Sequence, residues 1–236
     1  MSSEKTILEA VQIEKHYQSG PELLKVLKGI NLSVQMGEIL VIMGPSGVGK
    51  STLLHILGTL DKPTTGKVYI DGCDISLMKE AEIAIFRNKN IGFVFQFHYL
   101  LPEFTAMENL LIPAMIGNSD WKKQIKRAEQ LLNEVGLSER LHHRPNQLSG
   151  GELQRIAVAR ALMNNPKIVL ADEPTGNLDT QNSHALFELI LKLNEKYRQT
   201  FIIVTHNEMF TRKAHRVIHL MDGMIEREEK IQSLNT

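Results

Sequence analysis

The sequence predicts an α/β fold with a parallel central sheet, and three observations carry that expectation. The runs Ile39–Met43, Ile168–Ala171 and Phe201–Thr205 are apolar throughout and do not alternate with polar residues, the pattern of strands covered on both faces. Helix-period stripes lie elsewhere: Ile125, Ala128, Leu131, Leu132 and Val135 in one segment, Leu186, Leu189, Ile190 and Leu193 in another. No repeat or low-complexity stretch interrupts the 236 residues, and at about 150 residues per domain one enlarged domain is expected.

In chain order, Ile7–Ile13, Val68–Ile70 and Ile91–Phe95 are further short runs whose Val, Ile and Phe content favours strands. Thr52–Leu57 continues Ile39–Met43 as a helix. Ser119-Asp120 is positioned to cap a helix through Glu134, with Lys122, Lys123, Lys126 and Arg127 on its solvated face and Gly136 suited to its stop. Asn182 to Tyr197 forms another helix. Val217–Met221, Asp222-Gly223 and Met224-Ile225 read as a hairpin with a two-residue turn. The polar tail from Glu226 to Thr236 is expected to fray.

Composition removes several function classes. A hydrophobic fraction of 42% with 23% charged residues excludes disordered and fibrous chains. Lys plus Arg and Asp plus Glu both total 27, so the basic excess of a dedicated nucleic-acid binder is missing and no nucleic-acid partner is expected. One cysteine, Cys73, excludes a disulfide scaffold. No apolar run approaches the roughly 18 residues of a membrane span. The opening MSSEKTILEA has early charge and no apolar core, so no export signal is expected. Action at a membrane would therefore need separate membrane subunits.

Residues Gly44, Pro45, Ser46, Gly47, Val48, Gly49, Lys50 and Ser51 match G-x-x-x-x-G-K-[ST] in full, between a strand and a helix opened by Thr52. Glycines let backbone N–H groups wrap phosphates without side-chain clash, and the helix N-terminus adds its positive dipole. Lys50 is expected at the β- and γ-phosphates and the Ser51 hydroxyl on Mg²⁺. The strand Ile168–Ala171 ends in Asp172 and Glu173. An apolar run ending in two carboxylates is a weak signal alone. Beside a phosphate loop it places Asp172 in the Mg²⁺ shell and Glu173 on the attacking water. His206 follows the strand Phe201–Thr205; alone it is a strand-end histidine, but the shared sheet edge assigns it a γ-phosphate contact.

Residues 148–155 read LSGGELQR. Ser149 and Glu152 form an S-x-x-E capping box, and by itself that means an ordinary capped helix. Gly150 and Gly151 leave N–H groups uncovered at the same N-terminus, a second anion site in a chain with one phosphate loop. Two such sites suggest that one serves the nucleotide of a partner.

LSGGE resembles the signature motif of ABC (ATP-binding cassette) ATPases, in the family's order between the phosphate loop and the carboxylate strand, and the resemblance runs from about Leu8 to about Arg227. It implies that Tyr17 stacks on adenine, that Gln96 is the Q-loop contact to Mg²⁺ and water, that Asp179 in GNLD is the D-loop residue and that His206 is the switch histidine. Glu173, Gln96 and His206 are then the catalytic set, and Ser51, Gln96 and Asp172 the metal set. The implied architecture is a P-loop NTPase (RecA-like) core with an antiparallel β subdomain, about residues 1–96 and 165–228. A helical subdomain spans about 97–164 and a polar tail 229–236. The family further implies a head-to-tail homodimer, with each ATP between one copy's phosphate loop and the other's Ser149–Glu152.

The segment Phe97–Ile116, FHYLLPEFTAMENLLIPAMI, sits where the family docks a permease. Part of it is core, yet Phe97, Tyr99, Leu100, Leu101 and Phe104 exceed what a loop in water carries. LLPEFTAMEN and GLSERLHHRPNQLSGGELQRIAVARAL are similar to ATP-binding subunits of lipoprotein-releasing transporters. That likeness implies an ATPase motor at the cytoplasmic face of the inner membrane. The alternatives are a drug or peptide efflux cassette and a cell-division signalling ATPase. A permease-free ABC ATPase acting on DNA or ribosomes is disfavoured, because neither heptad arms nor a second cassette is present.

Overall fold

Two sheets organise the chain. The computed structural model describes residues 5–117 and 120–231. Strands β1 (Thr6–Ser19), β2 (Glu22–Gln35), β4 (Thr65–Ile70) and β5 (Cys73–Asp74) form an antiparallel sheet in the order β2-β1-β4-β5. Strands β3 (Ile39–Met43), β6 (Ile91–Phe95), β7 (Ile168–Asp172), β8 (Thr200–Val204), β9 (Arg216–Met221) and β10 (Met224–Lys230) form the larger sheet. Its order is β10-β9-β3-β8-β7-β6, parallel except for β10. The helices are α1 (Lys50–Leu57), α2 (Glu80–Asn90), α3 (Ala106–Ile116), α4 (Trp121–Glu134), α5 (Gly150–Ala161) and α6 (Thr180–Tyr197). This is the α/β fold the apolar runs predict.

The unbroken apolar runs have a direct structural cause. Successive strand residues point to opposite faces, and here each face has its own core. Ile39, Val41, Val169, Ala171, Phe201 and Ile203 join one cluster with residues of α3, α4, α5 and α6. Leu40, Ile42, Ile168, Leu170, Ile202 and Val204 join the other, with α1 and the four-stranded sheet. A polar residue at any of these positions would lie buried on one side or the other.

The structure departs from the sequence reading in several places. Strand β1 extends well beyond Ile7–Ile13, and β2 is a strand that no apolar run marks. Only Leu27, Ile30, Leu32 and Val34 of β2 are buried, alternating from Ile30 onward after a register shift that separates Leu27 from Ile30; the other face meets water, so the strand contains no apolar run. Segment 106–116 is helical, opened by a capping box between Thr105 and Glu108. Helix α6 begins at Thr180, two residues before the predicted start, because Asp179 accepts from the Asn182 N–H. The expected hairpin is present, with Asp222 and Gly223 both at positive φ.

The tail is the clearest correction. Glu226–Lys230 is not frayed: it pairs with β9, and Glu228 accepts from the buried Arg216 at 3.1 Å. The Ile231 N–H donates to the His215 carbonyl. Residues 1–4, 118–119 and 232–236 lie outside the described residues, and the expected capping role of Ser119 lies there with them; Asp120 caps α4, accepting from the Lys122 N–H.

Candidate active site

The phosphate loop bridges β3 and α1, at the C-terminal edge of the parallel sheet where such folds place ligands. Gly49 is the N-cap of α1 at φ +101°, and a Cβ there would meet Leu27 Cδ2 at 2.9 Å. Gly44 is tighter still, since a Cβ would lie 2.4 Å from the Leu220 carbonyl oxygen. The loop therefore takes this path only with glycine at both ends. Between them Pro45, Ser46 and Gly47 are exposed and Val48 is half-buried. The buried Lys50 donates to the Gly44 carbonyl (2.7 Å) and the Pro45 carbonyl (2.8 Å), so its ammonium is held over the loop. Ser51 and Thr52 occupy the first turn of α1.

The carboxylates meet this loop. Ser51 Oγ donates to Asp172 Oδ1 at 3.0 Å, and His55 Nε2 lies 4.0 Å from Asp172 Oδ2. Burial raises the Asp172 pKa, with the Ser51 hydrogen bond opposing it. Glu173 follows at φ +45°, a left-handed conformation unusual for a side-chain-bearing residue, with its N–H bonded to the Val204 carbonyl. That turn directs its carboxylate to His206: Nδ1 lies 3.0 Å from Oε1, and the His206 N–H donates to Oε2 at 3.3 Å. Lys50, Ser51, Asp172, Glu173 and His206 thus form one continuous constellation.

Gln96, just past β6, is joined to the loop after Glu173. Its Nε2 donates to Asn177 Oδ1 and its carbonyl accepts from Asn177 Nδ2, both at 3.1 Å. Its amide oxygen makes no hydrogen bond among the described residues. Tyr17 is 40% exposed, so its ring face is available, while its hydroxyl donates to Asp61 Oδ2 at 2.8 Å. Lys15 sits over that ring and donates to the other Asp61 oxygen.

The capping box at α5 is formed. Ser149 Oγ accepts from the Glu152 N–H, and Glu152 Oε2 accepts from the Ser149 N–H at 2.8 Å. The Ser149 N–H and Arg140 (3.0 Å) hold the Glu152 carboxyl at about 2. Ser149 and Gly150 are exposed, whereas Gly151 is buried against Asn182, where a Cβ would meet Oδ1 at 2.2 Å. Asn182 is in turn fixed by Asp179 through Nδ2 at 2.8 Å. The signature helix and Asp179 therefore form a second cluster, and no hydrogen bond or ion pair joins it to the phosphate loop among the described residues. Asp61, Asn177 and Asn182 were not identifiable from sequence, because each acts across the fold on a residue 44 to 81 positions away or on a glycine.

A family model described as ABC transporter matches residues 27–176. The chain belongs to the ABC transporter family. It is similar to the lipoprotein-releasing system ATP-binding protein LolD of Bacteroides fragilis, 55% identical over 202 residues that span 86% of this chain and 94% of that one. LolD of Cytophaga hutchinsonii is 55% identical over 219 residues, 93% and 98% of the two chains. Among solved structures, the dimeric post-hydrolysis state of the ATP-binding cassette MJ0796 with ADP and Pi aligns at a TM-score of 0.88. It is 43% identical, covering 97% of this chain and all (100%) of that one. The ADP conformation of the cassette MJ1267 aligns at 0.83 with 28% identity, over 96% and 91%. No helix among the described residues is long and apolar enough to cross a membrane.

Proposed function

We propose that this ABC protein is an ATP-hydrolysing motor subunit that drives lipoprotein release from the inner membrane through separate permease subunits. The observation that carries the chemistry is the Ser51–Asp172 pair set beside Glu173 and His206. The likeness to LolD proteins along nearly the whole chain supports the transport output.

ATP would enter with its phosphates in the Gly44–Thr52 loop, where they compete with two backbone carbonyls for the Lys50 ammonium. The exposed ring of Tyr17, fixed by Asp61, offers a face for adenine. The donor set fits Mg²⁺: a hydroxyl, a half-buried carboxylate and the free amide oxygen of Gln96 are hard oxygen ligands, few enough to leave room for phosphate and water. Bound there, Mg²⁺ would neutralise charge developing on the phosphates. Glu173 takes the proton of the attacking water and His206 holds that carboxylate in place.

The exposed Ser149 and Gly150 suit a second copy's γ-phosphate, giving a head-to-tail homodimer. The solved MJ0796 cassette is itself dimeric. Phe97, Tyr99, Leu101, Phe104, Met115 and Ile116 remain 40–69% exposed, an apolar surface for the permease, whereas Leu100, expected among them, is buried in the core at 7%. The subunit would then sit on the cytoplasmic face, its core and β parts (about 1–96 and 165–228) gripping nucleotide and its helical part (about 97–164) meeting the membrane protein.

The test is co-purification from native membranes with tagged Glu173→Gln protein and ATP. Two related four-span permeases, with or without lipoproteins, are expected. A drug-export or cell-division permease would replace the lipoprotein reading, and ribosomal or DNA-associated partners would overturn transport altogether.

A further inference from the structure

The geometry points to Arg160 as a positioning residue that ties the signature helix to the exposed apolar segment following Gln96. Arg160 lies near the C-terminal end of α5, roughly 15 Å along the helix from Gly150. Its guanidinium donates to the carbonyls of His98 and Tyr99, each at 2.7 Å. From the same helix, the buried Gln154 donates to the Phe95 carbonyl at 2.8 Å. One helix thus grips the backbone on both sides of Gln96.

Two further observations show that this grip is more than packing. Arg160 has no carboxylate partner among the described residues, so a partly buried cation is satisfied by backbone carbonyls alone. Such an arrangement costs desolvation that a neutral side chain would avoid, and burial accordingly pulls the guanidinium pKa down. The held backbone is also strained: Tyr99 sits at φ +47°, which persists only where its surroundings enforce it. Beyond Leu100 the grip changes hands, because the fully buried Asn109 of α3 bonds Leu101, Phe104 and Thr105. The reach of α5 therefore ends at Tyr99, and it includes Phe97 and Tyr99, exposed at 62% and 63%.

The consequence is mechanical. A displacement of α5 when its N-terminus takes a second copy's nucleotide is carried to residues 96–99 through Arg160. The inference rests on the proposed ATP-driven dimer.

Hydrogen exchange on the full chain tests it, using Glu173→Gln protein with and without ATP and magnesium. Protection is expected to rise about tenfold both in 148–155 and in 96–101. With Arg160→Met added, 148–155 should keep its protection, while 96–101 should return to within about twofold of the nucleotide-free value. Arg160→Lys, which can reach one carbonyl, should fall between, and it serves if the methionine variant does not fold. Equal protection of 96–101 in all three proteins would overturn the role of Arg160. Absence of ATP-dependent protection at 148–155 in Glu173→Gln would overturn the dimer reading and this inference with it.

Discussion

Ser51 Oγ and Asp172 Oδ1 are hydrogen-bonded at 3.0 Å, tying the first turn of α1 to the end of β7. The two residues are far apart in sequence, and their meeting converts a phosphate loop and a carboxylate strand into one site. Burial raises the Asp172 pKa, so its charge is costly until a cation arrives.

That cost gives the first prediction. Asp172→Asn keeps an acceptor for Ser51 but removes the charge, so the nucleotide- and metal-free protein should gain about 1 kcal/mol of stability. Magnesium-dependent hydrolysis should be lost. Thermal melts in chelator and an ATPase assay check both halves; a less stable apo variant would contradict the burial argument.

Thr59 gives a prediction independent of function. This β-branched residue sits at φ +60°, and its buried hydroxyl has no hydrogen-bond partner among the described residues. Both features oppose folding. Thr59→Gly should stabilise by about 1 kcal/mol, the relief outweighing the added chain entropy of glycine. A lower melting temperature would show that the threonine methyl contributes more than the strain costs.

Much of this was legible beforehand, and the failures have definite causes. The central strands were readable because both of their faces are covered, so Ile39–Met43 and Phe201–Thr205 contain no polar interruption. The phosphate loop and capping box were readable because they are local. Strand β2 was not, since half its residues face water. Helix α3 was not, because it is apolar nearly all round and contains Pro113. The tail carries no apolar signal of its strand, because its polar residues pair across a hairpin, with Glu228 on Arg216. Asn182 and Arg160 carry no local signal, as their partners are set by the tertiary fold.

Acid should expose the capping box. The folded state holds Glu152 at about 2 against 4.5 for a free carboxyl, so its stabilisation is complete above 4.5 and is lost as pH falls toward 2. Wild type should exceed Glu152→Gln by about 1 kcal/mol at neutral pH, a value discounted for partial exposure. Denaturant titrations at a series of pH values should show the gap closing below 4.5. A gap independent of pH would refute the assignment.

The signature site has a clean probe at Gly150 and not at Gly151. A Cβ at Gly150 meets only Leu178 Cδ2 at 3.8 Å, whereas at Gly151 it strikes Asn182. Gly150→Asp should fold and bind ATP as a monomer, yet fail to dimerise with it, since the new carboxylate repels the incoming phosphate. Sedimentation in the Glu173→Gln background measures this, and a normal ATP-dependent dimer would argue against the trans site.

The most direct test is steady-state ATP hydrolysis by Glu173→Gln. With Glu173 as the base held by His206, turnover should fall at least about 100-fold while nucleotide binding persists. Undiminished turnover would contradict the account at its centre.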